Sequence, residues 1–227
     1  CIDNNYYPYK RFKDTYYHNE MRQVYYDLLN ELKPDLVHVT HLMNHTAVLL
    51  DVVSDLNIPV VATLTDFYGF CFNCKLEASD GSLCEGPNRS RSNCLACYLQ
   101  YAKRPFIKRL INKFPSIPNI SALGFYYANC VFRNHFDFVA DISERPETLA
   151  KCYTRYRAVI APTEFLMDAY IANGITVPVH LIRFGIDLPR LPKQSGPALP
   201  VKFGFIGQLS PHKGTYILVD AFSRLPK

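Results

Sequence analysis

A chain of 227 residues, 48% hydrophobic, with 25 basic against 20 acidic residues and a formal charge of +5, can bury one large α/β core or a domain plus part of a second. The small basic excess suits an anionic ligand or an acidic membrane surface and falls short of a nucleic-acid footprint, so no nucleic-acid partner is expected. No apolar run is long enough to span a bilayer, and Cys1 to Pro8 lack both a signal-peptide pattern and an initial Met, so the expectation is a soluble, cytoplasmic piece of a longer protein.

From Tyr16 to Leu32 the apolar residues Met21, Val24, Tyr25, Leu28, Leu29 and Leu32 recur at three and four, the spacing of one helix face, and Pro34 ends it. Leu36 to Thr40 reads as a strand, a helix starts at Asn44 or Thr46 and runs to Leu56, and Pro59 to Leu64 is a β-branched strand. The pattern breaks over 70–98, a Cys-, Ser-, Gly- and Asn-rich insertion that needs a staple in place of a core. Regular alternation resumes with a strand from Phe136 to Ile142, a helix from Pro146 to Tyr156, a strand from Ala158 to Pro162, a helix from Glu164 to Asn173 and a strand from Val179 to Arg183. Strand–helix alternation with short connections predicts an α/β fold, a Rossmann-like, mainly parallel sheet with helices on both faces. Four prolines between Pro189 and Pro200 mark residues 187–200 as a linker, so 1–186 form one domain and 201–227 begin another.

That second segment reads as a strand from Val201, a glycine turn at Gly207, then Lys213 and Gly214 before a helical run to Leu225. Free N–H groups at a helix start favour an anion, and a lysine adds a full charge. The insertion holds Cys71-x2-Cys74-x9-Cys84-x9-Cys94-x2-Cys97, and two C-x-x-C pairs can direct sulfurs toward one tetrahedral ion. A structural zinc is the preferred reading; disulfides and free thiols remain alternatives. Cys130 and Cys152 read as incidental thiols, and sequons at Asn44, Asn88 and Asn119 as chance. A basic amphipathic stretch over 102–114 can lie on anionic headgroups, which would place the protein peripherally at the inner membrane face, or be a solvated face over a local core.

Five segments occur in order: Pro34-Asp-Leu-Val-His-Val-Thr-His41, Ile58-Pro-Val-Val-Ala-Thr-Leu-Thr-Asp66-Phe, Ala158-Val-Ile-Ala-Pro-Thr-Glu-Phe-Leu, Leu181-Ile-Arg-Phe-Gly-Ile-Asp187 and Phe205-Ile-Gly-Gln-Leu-Ser-Pro-His-Lys-Gly214. Together they resemble the retaining glycosyltransferases of family 4 over nearly the whole chain. The resemblance implies a GT-B fold with an acceptor domain truncated at its start and the leading edge of a donor domain. It implies sugar transfer from a nucleotide-sugar donor to a glycan or lipid-linked acceptor in cell-envelope polysaccharide synthesis, with no catalytic metal, and a fragment inactive alone. Gly207, Gln208, Lys213 and Gly214 match the positions that hold the donor diphosphate, although Gln208 stands where an arginine is common. Asp66 matches an acceptor-side residue, with Thr65 in place of the usual histidine, and His41 is the second candidate at a strand end. His38, inside the strand, reads as a packed core residue. Among the thiols the resemblance favours Cys71, Cys84, Cys94 and Cys97 as zinc ligands, leaving Cys74 spare. A decayed, non-catalytic transferase scaffold and a zinc-stabilised interaction module are the alternative readings.

Overall fold

The computed structural model describes residues 9–101, 120–124, 127, 137–187, 203–209 and 213–225. The basic stretch 102–114, Cys130 and nearly all of the linker 187–200 lie outside them. The chain divides into two compact units, Cys1–Gly185 and Ile186–Lys227.

In the first unit a 3-10 turn, Phe12–Thr15, leads to helix α1, Met21–Leu32. Of its apolar stripe Met21, Tyr25 and Leu29, spaced by four, are buried, whereas Val24 and Leu32 are exposed. Lys33 closes the helix in a left-handed conformation, φ 45°, directly before Pro34. Then follow β1 (Val37–Val39), α2 (Val48–Asp55), β2 (Val60–Thr63), α3 (Ser92–Tyr101), α4 (Asp137–Tyr153), β3 (Ala158–Ala161), α5 (Glu164–Ala172) and β4 (Val179–Leu181). The four strands pair in chain order, all parallel, with Val39 opposite Ala62, Ala62 opposite Val159 and Val159 opposite Val179.

Strand alternation sends Val39, Val60, Ala62, Val159 and Ala161 into one core with residues of α1, α2, α4 and α5. The opposite face carries His38, Val61, Thr63, Ala158, Ile160 and His180, half-buried or exposed. The architecture is thus a Rossmann-like α/β unit with a parallel sheet flanked by helices. Parallel pairing places every strand's carboxyl end on the same edge, which is where this class of sheet presents its ligand-binding loops.

Two segments depart from the expected elements. Residues 137–142, within the stretch Phe136–Ile142 expected as a strand, instead open α4, a single helix that runs through Pro146. The reason is visible in its buried positions: Val139, Ile142, Arg145, Leu149 and Cys152 recur at three and four, a period that a strand cannot bury on one side. Tertiary packing of that stripe outweighs the hydrogen bond that Pro146 cannot donate. Part of the expected irregular insertion is also helical, since α3 begins at Ser92 and buries Leu95, Ala96 and Cys97.

The start of α4 is tied to the 3-10 turn by a buried carboxylate. Asp141, 1% exposed, receives Arg11 Nη2 at 2.5 Å and the Lys13 backbone N–H at 3.0 Å, while its own carbonyl receives the Tyr16 hydroxyl at 2.7 Å. Multiple donors of this kind compensate the removal of a carboxylate from water.

In the second unit the described part is a short segment, 203–209, and helix α6, Thr215–Ser223. The strand expected from Val201 has no ladder among the described residues, because extended backbone without a hydrogen-bonding neighbour is not a sheet. No described residue of α6 is buried, although Phe203 meets Phe222 edge-on with ring centroids 5.8 Å apart.

Candidate functional site

β1 and β2 lie side by side, and the residues just beyond their carboxyl ends face each other. His41 follows β1 and Asp66 follows β2; His41 Nε2 and Asp66 Oδ2 are 2.7 Å apart. The tautomer follows from the other contacts. The backbone N–H of Met43 donates to His41 Nδ1 at 2.8 Å, so that nitrogen carries no proton and Nε2–H donates to Asp66. The second carboxylate oxygen, Oδ1, receives the backbone N–H of Tyr68 at 2.8 Å. Both side chains are roughly three-tenths exposed: 30% for His41 and 27% for Asp66.

With both ring nitrogens engaged, His41 has no lone pair to spare, whereas each Asp66 oxygen retains one. Asp66 is therefore the group that can accept from a ligand hydroxyl, and His41 holds it in place. The notch they line, with Thr65, Tyr68, Tyr153, Tyr156 and Tyr170 among its walls, is about 20 Å³. That volume admits one hydroxyl group and not a sugar ring.

Below the notch is a tyrosine layer. Tyr153 and Tyr170 stack with centroids 6.2 Å apart, and the Tyr170 hydroxyl receives the Gly69 backbone N–H at 3.0 Å. Burial raises the pKa of Tyr68, Tyr153 and Tyr170, so these phenols stay protonated. Tyr68 also packs against His41, with ring centroids 5.3 Å apart.

Other predicted residues are placed as follows. His38 is exposed on β1, bonded through Nε2 to Thr63 Oγ1 at 2.9 Å, rather than packed in the core. Thr65 is exposed, its hydroxyl 3.4 Å from the Thr40 carbonyl. In the second unit Gly207, Gln208 and Lys213 are exposed, and Gly214 caps the start of α6 at φ 72°, the left-handed region where glycine is favoured.

Cys71, Cys84, Cys94 and Cys97 line one cavity of about 130 Å³. The Cys84 sulfur receives the Gly86 N–H at 3.4 Å and Asn93 Nδ2–H at 3.7 Å, the kind of donors that steady a thiolate. Cys74 does not line it; burial first and the Asp66 charge second push that thiol up to about 12. Among the described residues no group of three His, Cys, Asp or Glu side chains is close enough to hold an ion, so the cavity gathers the thiols without closing a coordination sphere. Burial first, then the charges of neighbouring groups, Cys71 and Cys84 among them for both, raise Cys94 and Cys97 to about 12.

Sequence reading missed the two backbone groups that hold the couple, the Met43 N–H and the Tyr68 N–H, because a backbone donor leaves no signal in residue type. No helix among the described residues is long and apolar enough to cross a membrane. No family model, curated protein or solved structure matches the chain.

Proposed function

We propose that the protein is a retaining glycosyltransferase of the GT-B type whose first unit binds the acceptor at the His41–Asp66 couple. The observation that carries this reading is the 2.7 Å hydrogen bond joining two loop residues at the carboxyl ends of adjacent parallel strands. It supports the reading because a carboxylate held in this way can accept a proton from a ligand hydroxyl. An acceptor hydroxyl inserted in the notch donates to Asp66, and the carboxylate takes its proton as the new glycosidic bond forms on the same face of the sugar from which the nucleoside diphosphate leaves, which keeps the anomeric configuration. His41, locked in the Nε2–H tautomer, orients the carboxylate and does not itself act as base. Gly207, Gln208, Lys213, Gly214 and the first-turn N–H groups of α6 would meet the donor diphosphate, whose charge grows as it leaves. The acceptor is a glycan or a lipid-linked sugar of the cell envelope, and the work is cytoplasmic, at the inner membrane face.

Cys71, Cys84, Cys94 and Cys97 are the residues that would hold a structural zinc: four thiols are the right number and type for a closed tetrahedral site. The ion would cross-link the insertion and takes no part in transfer.

The test is nucleotide release and product formation by the full-length protein across a panel of nucleotide-sugars, with and without glycan acceptors. Turnover with one donor, abolished in Asp66→Asn, is the expected result. A panel without turnover, together with no nucleotide binding by calorimetry, would replace this reading with that of a decayed scaffold, for which Thr65 and Gln208 already argue.

A further inference from the structure

We infer that Arg145 is a positioning residue for the His41–Asp66 couple and acts through Tyr68. The inference rests on the couple being the acceptor site, but its test reads the couple without any substrate.

Arg145 is 3% exposed on the buried stripe of α4, among Val139, Ile142, Leu149 and Cys152. A guanidinium there is costly, and an aliphatic side chain would complete the stripe more cheaply. Its bonding is also incomplete: Nη1 is buried without a hydrogen-bond partner among the described residues. What the charge does make is a two-point grip on one residue. Nη2 donates to the Tyr68 carbonyl at 2.6 Å, and the guanidinium carbon lies 4.9 Å from the centroid of the Tyr68 ring. The Tyr16 ring, 5.8 Å away, lies within cation–π range as well.

Tyr68 in turn touches both members of the couple. Its N–H donates to Asp66 Oδ1, and its ring packs on His41. A single residue is thus held by its carbonyl and ring from the helix side while presenting its N–H and ring edge to the notch. Fixing the carbonyl fixes the orientation of the turn that begins at Asp66, where the Phe70 and Cys71 N–H groups both return to the Phe67 carbonyl. If that grip is released, Asp66 loses its preorganised donor, and the His41 Nε2–H loses one of the two contacts that select its tautomer, leaving the Met43 N–H on Nδ1 as the other.

Arg145→Met keeps length and apolar volume while removing charge and donors; Arg145→Lys keeps charge and one donor. Both are compared with the unaltered protein by circular dichroism, urea unfolding and the ring-nitrogen NMR signals of His41, assigned by their loss in His41→Gln. The unaltered protein should show one protonated and one unprotonated ring nitrogen. Folded Arg145→Met should show the two signals moved toward each other as the tautomers mix, and Arg145→Lys should restore most of the difference. Wild-type His41 signals in a folded Arg145→Met protein would overturn the inference. So would loss of fold in both variants, or equal disturbance of His41 by both, since each marks a side chain needed for its shape in the packing and not a charge that positions the couple. A failed transfer assay leaves these signals readable, so the two proposals fail separately.

Discussion

His41 Nε2 donates to Asp66 Oδ2 across 2.7 Å, joining residues twenty-five apart in sequence at the ends of neighbouring strands. Because Met43 occupies the other ring nitrogen, the two residues have unequal duties. Asp66→Asn should therefore lower transfer by about 10²- to 10⁴-fold, the usual loss for a positioned proton acceptor. His41→Gln, which keeps a donor toward Asp66, should lose only about tenfold, in the range of a supporting contact. Initial rates of the full-length protein with saturating donor compare the two; a larger loss at His41 would reverse the assignment.

Gly69 tests the tyrosine layer under the notch. A Cβ there would stand 2.6 Å from both Tyr153 Cε2 and Tyr170 Cε1, two ring carbons locked by stacking. Gly69→Ala should cost about 1–3 kcal/mol, the range for overpacking a filled interior. Urea unfolding checks it: the midpoint should fall with the slope unchanged.

The cysteine cavity makes a compositional prediction. Protein purified without chelator should carry about one zinc per chain by elemental analysis, the stoichiometry of a tetrahedral site built from four thiolates. Cys94→Ser and Cys97→Ser should each remove it, whereas Cys74→Ser, outside the cavity, should not. Metal-free protein, or zinc that survives both serine variants, would leave the four as ordinary free thiols.

Cys152 sets a pH dependence. It is 4% exposed on α4, and burial, then the Asp51 charge, pushes its thiol from 9.0 to about 12. The folded state thus keeps its proton at pH values where the unfolded chain has lost it. The stabilising contribution is complete below about pH 9 and is lost as pH rises toward 12, at about 1.4 kcal/mol per pH unit for one proton. Urea unfolding at pH 8 and pH 10.5 should show a smaller drop for Cys152→Ala than for the unaltered protein; parallel drops would remove the thiol from the account.

Local signals made much of the fold legible. β1 and β2 lie within the expected strands, and α5 begins at the expected Glu164, where Thr163 caps it by accepting the Leu166 N–H at 3.2 Å. Those elements carry their own punctuation: a proline, a capping hydroxyl, a β-branched run. Residues 136–142 were illegible for the opposite reason. Their short apolar run fits either period, and Pro146 suggests a boundary that packing overrides.

From sequence alone came the α/β class and the parallel alternation, which are local properties, the choice of His41 at a strand end, and the choice of Asp66 through the family resemblance and its own strand-end place. Only tertiary structure decided that the two meet, that the Met43 and Tyr68 N–H groups divide their roles, and that Cys74 parts from the other four thiols of the insertion. Those outcomes depend on directions of side chains and N–H groups set by strand register and helix packing, which no local stretch of residues encodes.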